Sequence, residues 1–317
     1  MKAFITRKLP GNAVDLLIEK GIDVVVFGKD RQISKEEFLK HAKDADGIIS
    51  LLSDKIDKDI ISGLKNCKVI ANYAVGYNNI DLSAAKEKNI VVTNTPELLT
   101  DATADIAIAL MLACSRHITE GDRLMRENKF SGWAPELLLG IGLSGKTFGL
   151  IGAGRIGAAA AVRAKAFGMN IVYFSRSRNE SLEKATGAKK VSLEKLLKTS
   201  DVISLHVPLT DKTRNLVDKD HLHLMKETAI LINTARGEIL DEKELIKMLK
   251  SRRIFAAGFD VYENEPLLNK ELLKLKNVVL LPHIGSATFE ARTKMAELCA
   301  KNLINVLKGR KPLTPVI

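Results

Sequence analysis

The chain has 317 residues, 46% of them hydrophobic and 27% charged, a length and balance that exclude a disordered segment and suit two folded domains. Lys and Arg outnumber Asp and Glu by 49 to 38, a formal +11. The basic residues are scattered and no helix-turn-helix, zinc-finger or aromatic RNA-binding pattern accompanies them, so a solvated basic surface without a nucleic-acid partner is expected.

Three cysteines, Cys67, Cys114 and Cys299, lie in apolar surroundings without C-x-x-C spacing and read as reduced core residues. The most apolar stretch, Asp105 to Cys114, is about half the length of a membrane span. Met1 to Pro10 has no secretory pattern, so a cytoplasmic protein with no membrane partner is expected.

In chain order, Met1 to Arg7 alternates as a strand, Gly11 to Lys20 as an amphipathic helix and Val24 to Phe27 as a second strand. Helices are then expected at Ser34 to His41 and Asp59 to Leu64, and strands at Gly47 to Leu51, Lys68 to Asn72 and Val91 to Thr93. The first hundred residues thus form a β/α layer of their own. In the loop Tyr73 to Asn79, Gly76 leaves backbone N–H groups for an anion or is part of a plain turn, and the residues do not choose between the two. Pro96 breaks the chain. One long helix is expected from Ala102 to Glu127, capped by Thr100 or Asp101 and serving as a domain connector.

Lys146 to Arg178 is the most informative stretch. An apolar strand, Thr147 to Ile151, leads into Gly152, Gly154 and Gly157 at G-x-G-x-x-G spacing, then an Ala-rich helix and a second strand, Asn170 to Phe174. The first glycine permits the tight turn and the second the approach of a pyrophosphate. The third lets the helix pack on the strand, with the helix N-terminus offering N–H groups to phosphate. At the end of the second strand, where an NAD-binding unit carries a carboxylate for the ribose 2′-OH, this chain has Ser175, Arg176, Ser177 and Arg178. Guanidinium and hydroxyl groups suit a 2′-phosphate, so NADP is the expected cofactor, with NADPH preferred and NAD the alternative.

Further strands, Val202 to Val207, Ala229 to Asn233, Ala256 to Val261 and Val278 to Leu281, complete a second doubly wound half, and a last helix runs from Ser286 to Lys308. The tail, Arg310 to Ile317, leaves no appended regulatory domain in this reading. Arg236, Glu265 and His283 each follow one of these strands, where α/β sheets place their ligands. An arginine can clamp a carboxylate, an imidazolium can protonate a carbonyl oxygen, and a carboxylate can hold that imidazolium. Singly, each has a plain structural alternative, as a helix-surface charge, a turn carboxylate or a core histidine. His206 ends a strand and could face the cofactor, while His41, His117, His221 and His223 read as surface groups. No metal-ligand spacing and no G-x-S-x-G elbow is present.

These residues resemble the D-isomer-specific 2-hydroxyacid dehydrogenase family, and within it the glyoxylate/hydroxypyruvate reductases. The resemblance runs over nearly the whole chain, through ANYAVGYNNID (71–81), VTNTPELLTDATADIA (92–107), LIGAGRIG (150–157), INTARGEILDEKEL (232–245), AAGFDVYENEP (256–266) and LPHIGSAT (281–288). It implies an α/β fold of two doubly wound parallel-sheet domains, a Rossmann cofactor domain (98–286) inserted in a flavodoxin-like substrate domain (1–97 and 287–317). It also implies that Val75 and Gly76 supply N–H groups to a substrate carboxylate, with Leu52 and Ser53 nearby. Thr103, Arg155, Ile156, Thr234, Ala235 and Asp260 are expected around the cofactor, and Arg236, Glu265 and His283 in the roles above.

The implied substrate is a small 2-keto acid and the implied assembly a homodimer. Trp133 is expected at the dimer contact or in a core. The long apolar stretch Ala102 to Cys114, more than one Rossmann face needs, supports the dimer. The alternatives are an NAD-dependent enzyme of another substrate, D-lactate or phosphoglycerate in a short form, and a nucleotide-sensing corepressor-like protein that keeps the same residues.

Overall fold

Short apolar runs separated by capped polar segments fold into alternating strands and helices over residues 1–317, all described by this computed structural model. The chain divides into two units, Met1–Leu99 with Ser286–Ile317, and Thr100–Gly285. The first opens with β1 (Lys2–Ile5), α1 (Ala13–Ile18), β2 (Asp23–Val26), α2 (Lys35–Ala42), β3 (Gly47–Leu51), α3 (Lys58–Gly63), β4 (Val69–Tyr73), α4 (Leu82–Glu87) and β5 (Val91–Thr93). Its five strands are parallel in the order β2-β1-β3-β4-β5, the flavodoxin-like winding. A parallel sheet covered on both faces demands continuous apolar strands, which is why β4 (VIANY) is buried at every position. Side-chain caps set the helix starts: Ser34 and Glu37 form a capping box on α2, and Asp57 and Asp81 cap α3 and α4.

The second unit contains α5 (Thr100–Ser115), α6 (Ile118–Arg126), β6 (Thr147–Ile151), α7 (Arg155–Ala166), β7 (Asn170–Phe174), α8 (Glu180–Thr186), β8 (Lys189–Lys190), α9 (Leu193–Thr199), β9 (Val202–Leu205), α10 (Lys219–His223), β10 (Ile230–Asn233), α11 (Glu242–Lys250), β11 (Ala256–Phe259) and β12 (Val278–Leu280). Its seven parallel strands run β12-β11-β10-β9-β6-β7-β8, a Rossmann order with one strand added beyond the sixth. The order reverses between β6 and β9, the switch point at which such sheets bind ligands. Apolar clusters fill both faces of this sheet. The chain then returns to the first unit as α12 (Phe289–Leu307), capped by Thr288.

Several expectations change. The helix expected from Ala102 to Glu127 is two helices, broken at His117, whose φ of +52° is left-handed and cannot continue an α-helix. Thr100 and Asp101 lie inside the first turn of α5, which belongs wholly to the second unit. Of the apolar residues of α5, Ala104, Ala107, Leu110, Met111 and Cys114 are buried within that unit, Ile106, Leu112 and Ala113 are partly buried, and Ala109 is exposed. Large exposed apolar groups occur after His117: Ile118, Met125, Phe130, Leu137, Leu139 and Trp133, the last 84% exposed and therefore not a core residue. His41 is stacked on Phe4 at 5.6 Å and so is not a plain surface group. The three cysteines are free and buried, and burial pushes the Cys67 and Cys114 thiols up to about 12. No helix is long and apolar enough to cross a membrane.

Candidate active site

The glycine loop between β6 and α7 fits a dinucleotide on steric grounds. Gly152 has φ +104°, and a Cβ there would lie 2.7 Å from the His206 carbonyl carbon. A Cβ on Gly157 would lie 2.1 Å from the Gly152 carbonyl oxygen, whereas nothing comes within 4 Å of one on Gly154. The outer two glycines thus close the turn against protein, and the middle one faces open space, as the approach of a phosphate requires. Gly154 caps α7 with no side-chain bond, leaving the first N–H groups of a 12-residue helix for an anion. Arg155 is exposed beside it and Ile156 half-buried. Thr234, after β10, has a buried hydroxyl without a hydrogen-bond partner, a polar atom that a ligand would satisfy. Ala235 beside it is half-buried.

At the end of β7 the expected phosphate contacts differ from one another. Arg176 is exposed and its side chain has no ion-pair partner in the chain, and Ser175 and Ser177 flank it. Arg178 is held by Glu183, with Nε at 2.7 Å and Nη2 at 2.6 Å from one carboxylate oxygen.

The three strand-end residues belong to one connected arrangement. His283 Nδ1 lies 2.7 Å from Glu265 Oε2, and the Tyr262 N–H donates to Glu265 Oε1 at 3.0 Å. With Nδ1 donating to that carboxylate, Nε2 is the ring nitrogen left to face a ligand. Burial raises the Glu265 carboxyl, but the His283 bond and charge, the Tyr262 N–H and the Arg236 charge outweigh it and leave it below the usual range. It is therefore an anion at neutral pH, suited to holding an imidazolium. Arg236 is itself depressed by burial, offset in part by Glu265 and Glu238. It remains a cation, since arginine starts from so high a value.

Asp260 and Thr103, expected around the cofactor, also support the His283 turn. His283 has φ +54°, an uncommon conformation for a residue with a Cβ. Asp260 stabilises the turn beneath it: 1% exposed, it accepts from the Ile284 and Gly285 N–H groups, both at 2.7 Å. Thr103, buried on α5, donates to the Gly285 carbonyl at 3.2 Å. The Tyr262 hydroxyl donates to the Leu281 carbonyl at 2.7 Å. A Cβ on Gly237 would meet the Tyr262 carbonyl carbon at 2.0 Å, so only glycine lets the Arg236 loop lie against the Glu265 loop. His206 bonds Ser204 Oγ at 2.8 Å, and burial lowers it to about 4, so it is neutral and is no acid at physiological pH.

In the first unit, Leu52 and Ser53 are exposed after β3, and Val75 and Gly76 are half-exposed after β4. The carbonyls of Val75 and Gly76 accept from Asn94 and Asn72 at 2.8 Å each, while their N–H groups have no acceptor in the chain. The loop therefore leaves two backbone donors that an anion could use.

The NAD-binding domain model of the D-isomer specific 2-hydroxyacid dehydrogenases matches residues 108–285. The chain belongs to that family. The chain is 50% identical to the glyoxylate reductase of Thermococcus litoralis, over 98% of this chain and 95% of the relative. Among solved structures it superimposes on a Thermus thermophilus protein with a TM-score of 0.94 and 45% identity, each chain covered completely. Another is the NADPH-dependent glyoxylate/hydroxypyruvate reductase of Sinorhizobium meliloti, in complex with NADP and malonate, with a TM-score of 0.87 and 32% identity. The match spans 99% of this chain and 96% of that one.

Proposed function

We propose that the protein reduces small 2-keto acids, glyoxylate and hydroxypyruvate, to glycolate and D-glycerate with NADPH as the preferred cofactor. The observation that carries this is the His283–Glu265 pair at 2.7 Å in a Rossmann unit of the 2-hydroxyacid dehydrogenase family. A bound nicotinamide supplies hydride. The chain supplies the rest: Arg236 clamps the substrate carboxylate and polarises the neighbouring carbonyl, and His283 Nε2 delivers a proton to the carbonyl oxygen as it becomes an alkoxide. Glu265 orients that imidazole and sets a negative charge beside its charged form. Leu52, Val75 and Gly76 are the substrate contacts of the first unit, with the free N–H groups of Val75 and Gly76 directed to carboxylate.

For the cofactor, Gly152, Gly154, Arg155, Ile156 and Gly157 take the pyrophosphate, Thr103 is assigned to the nicotinamide end, and Thr234, Ala235 and Asp260 are further cofactor contacts in this reading. Ser175, Arg176 and Ser177 take the 2′-phosphate. One well-placed guanidinium favours NADPH over NADH by roughly ten- to a hundredfold in kcat/KM. The test is loss of NAD(P)H absorbance with a panel of 2-keto acids and both cofactors. Glyoxylate or hydroxypyruvate with NADPH should give the highest kcat/KM. Activity confined to 3-phosphohydroxypyruvate, a preference for NADH, or binding without turnover would each count against the proposal. The last would favour a nucleotide-sensing protein.

The active form is a homodimer in this reading. Support comes from the apolar groups exposed between Ile118 and Leu139, with Trp133 the most exposed among them. Light scattering at micromolar concentration should give twice the 34.8 kDa of one chain, and the mass of one chain would remove the assignment.

A further inference from the structure

The loop after β7 contains two arginines in different electrical states. Glu183, on the first turn of α8, has a side chain only 16% exposed, and its two oxygens divide the work. Oε1 accepts from the hydroxyl of Tyr173, a buried residue of β7, at 2.6 Å, and Oε2 accepts from Arg178 Nε and Nη2. Asn179 locks the same corner. Its N–H donates to the Tyr173 hydroxyl at 3.0 Å, its side-chain oxygen caps α8 at Leu182, and its Nδ2 donates to the Ala153 carbonyl of the glycine loop at 2.8 Å. The carboxylate facing Arg178 is therefore fixed by the core and cannot swing away with the arginine.

We propose that Glu183 is a specificity-determining residue that withholds Arg178 from the cofactor 2′-phosphate, leaving Arg176 as the one uncompensated guanidinium of the loop. This rests on the reading of 175–178 as the 2′-phosphate contact and deepens it. One edge of the Arg178 fork is already filled, and the pair as a whole is neutral, so a dianionic phosphate gains little from that arginine. NADH, with only hydroxyls at that position, is indifferent to the charge. Glu183 thus narrows the gap between the two cofactors without touching the chemistry at His283.

Isothermal titration of NADPH and NADH into the full-length protein tests this independently of turnover. Glu183→Gln keeps an oxygen for the Tyr173 hydroxyl while removing the charge that holds Arg178. It should tighten NADPH about three- to tenfold, the scale of one partly exposed ion pair, and change NADH by less than about twofold. The double variant Glu183→Gln/Arg178→Ala should lose that gain. A gain that persists in the double variant would mean that the carboxylate acts on the phosphate directly and would overturn the proposal. No change, or weaker NADPH binding, in Glu183→Gln would overturn it too, the second by making Glu183 a support for Arg178. Arg176→Ala separates the two levels. If it lowers the NADPH-to-NADH affinity ratio while Glu183→Gln does not alter it, only this proposal falls. If it leaves the ratio unchanged, the phosphate site falls and the proposal with it.

Discussion

At the carboxyl ends of β10, β11 and β12 the reactive groups are charged side chains held by other side chains, whereas at the carboxyl ends of β3 and β4 the exposed features are backbone groups held by neutral amides. In the second unit a carboxylate holds an imidazole, a buried aspartate holds the turn beneath it, and an arginine adds its charge. In the first, Asn79 Nδ2 reaches the Leu51 and Asp54 carbonyls at 3.1 Å each, tying the turn after β3 to the loop after β4. Asn72 holds the Gly76 carbonyl, and Ser50 donates to Asn72 Oδ1 at 3.1 Å. Charge is expensive to bury and is spent where protons move; amides fix a loop without competing for an anion. In the function proposed above, the difference separates two jobs, proton transfer and recognition.

Removing charge at the first place should give the largest effect. His283→Ala is expected to lower kcat by about 10²-fold or more, the usual loss for a general acid. Steady-state kinetics with saturating cofactor check this, and wild-type turnover would dismiss the assignment. Arg236→Ala should raise KM for the keto acid and lower kcat/KM, roughly ten- to a hundredfold for a lost charge-assisted pair. Its binding of cofactor should change little. If both variants altered only KM, the division between the two regions would disappear.

Breaking the amide scaffold should act on recognition alone. Asn79→Ala leaves the Leu51 and Asp54 carbonyls without their shared donor, at a cost of about 1 to 3 kcal/mol in stability of that region. The keto-acid KM is expected to rise several-fold, with kcat and cofactor affinity close to wild type. A fall in kcat comparable to that of His283→Ala would show that the first unit takes part in the proton step.

The same contrast explains what could be read from the sequence. The strands β3, β5, β6 and β7 coincide with the apolar runs at 47–51, 91–93, 147–151 and 170–174, since a doubly covered parallel sheet leaves little room for a polar residue. Several short elements escaped, α4 and β8 among them. α4 is only six residues, LSAAKE, with no room for a periodic stripe, although Asp81 before it was a usable cap signal. β8 is two lysines at the sheet edge. The break at His117 has no glycine or proline to announce it. Arg236, Glu265 and His283 stood out because charged side chains after apolar strands are visible in one dimension. The Val75–Gly76 donors stayed ambiguous, because whether an N–H is free depends on where Asn72 and Asn94 reach in three dimensions.

His206 offers the smallest and sharpest test, because it is an imidazole of the second unit that does not share the environment of His283. His283 faces a carboxylate, whereas His206 has a serine hydroxyl and a half-buried ring, and burial holds it down to about 4 against about 6.5 when unfolded. The sign follows from proton counting. Between these values the unfolded chain binds a proton that the folded chain refuses, so stability is fully present above about pH 6.5 and is lost as pH falls toward 4. The ceiling is about 1.4 kcal/mol per pH unit, and residual exposure of the ring reduces it, so a loss on the order of 1 kcal/mol is expected between pH 6.5 and 5. In that interval the stabilised carboxylates, such as Glu265, stay ionised and contribute no comparable slope. Urea unfolding at the two pH values should show this loss in the wild type and a smaller one in His206→Gln, which keeps a Cβ against Gly157 but has no proton to gain. Equal losses in the two proteins would place the acid sensitivity elsewhere and would leave His206 no different in kind from the exposed histidines.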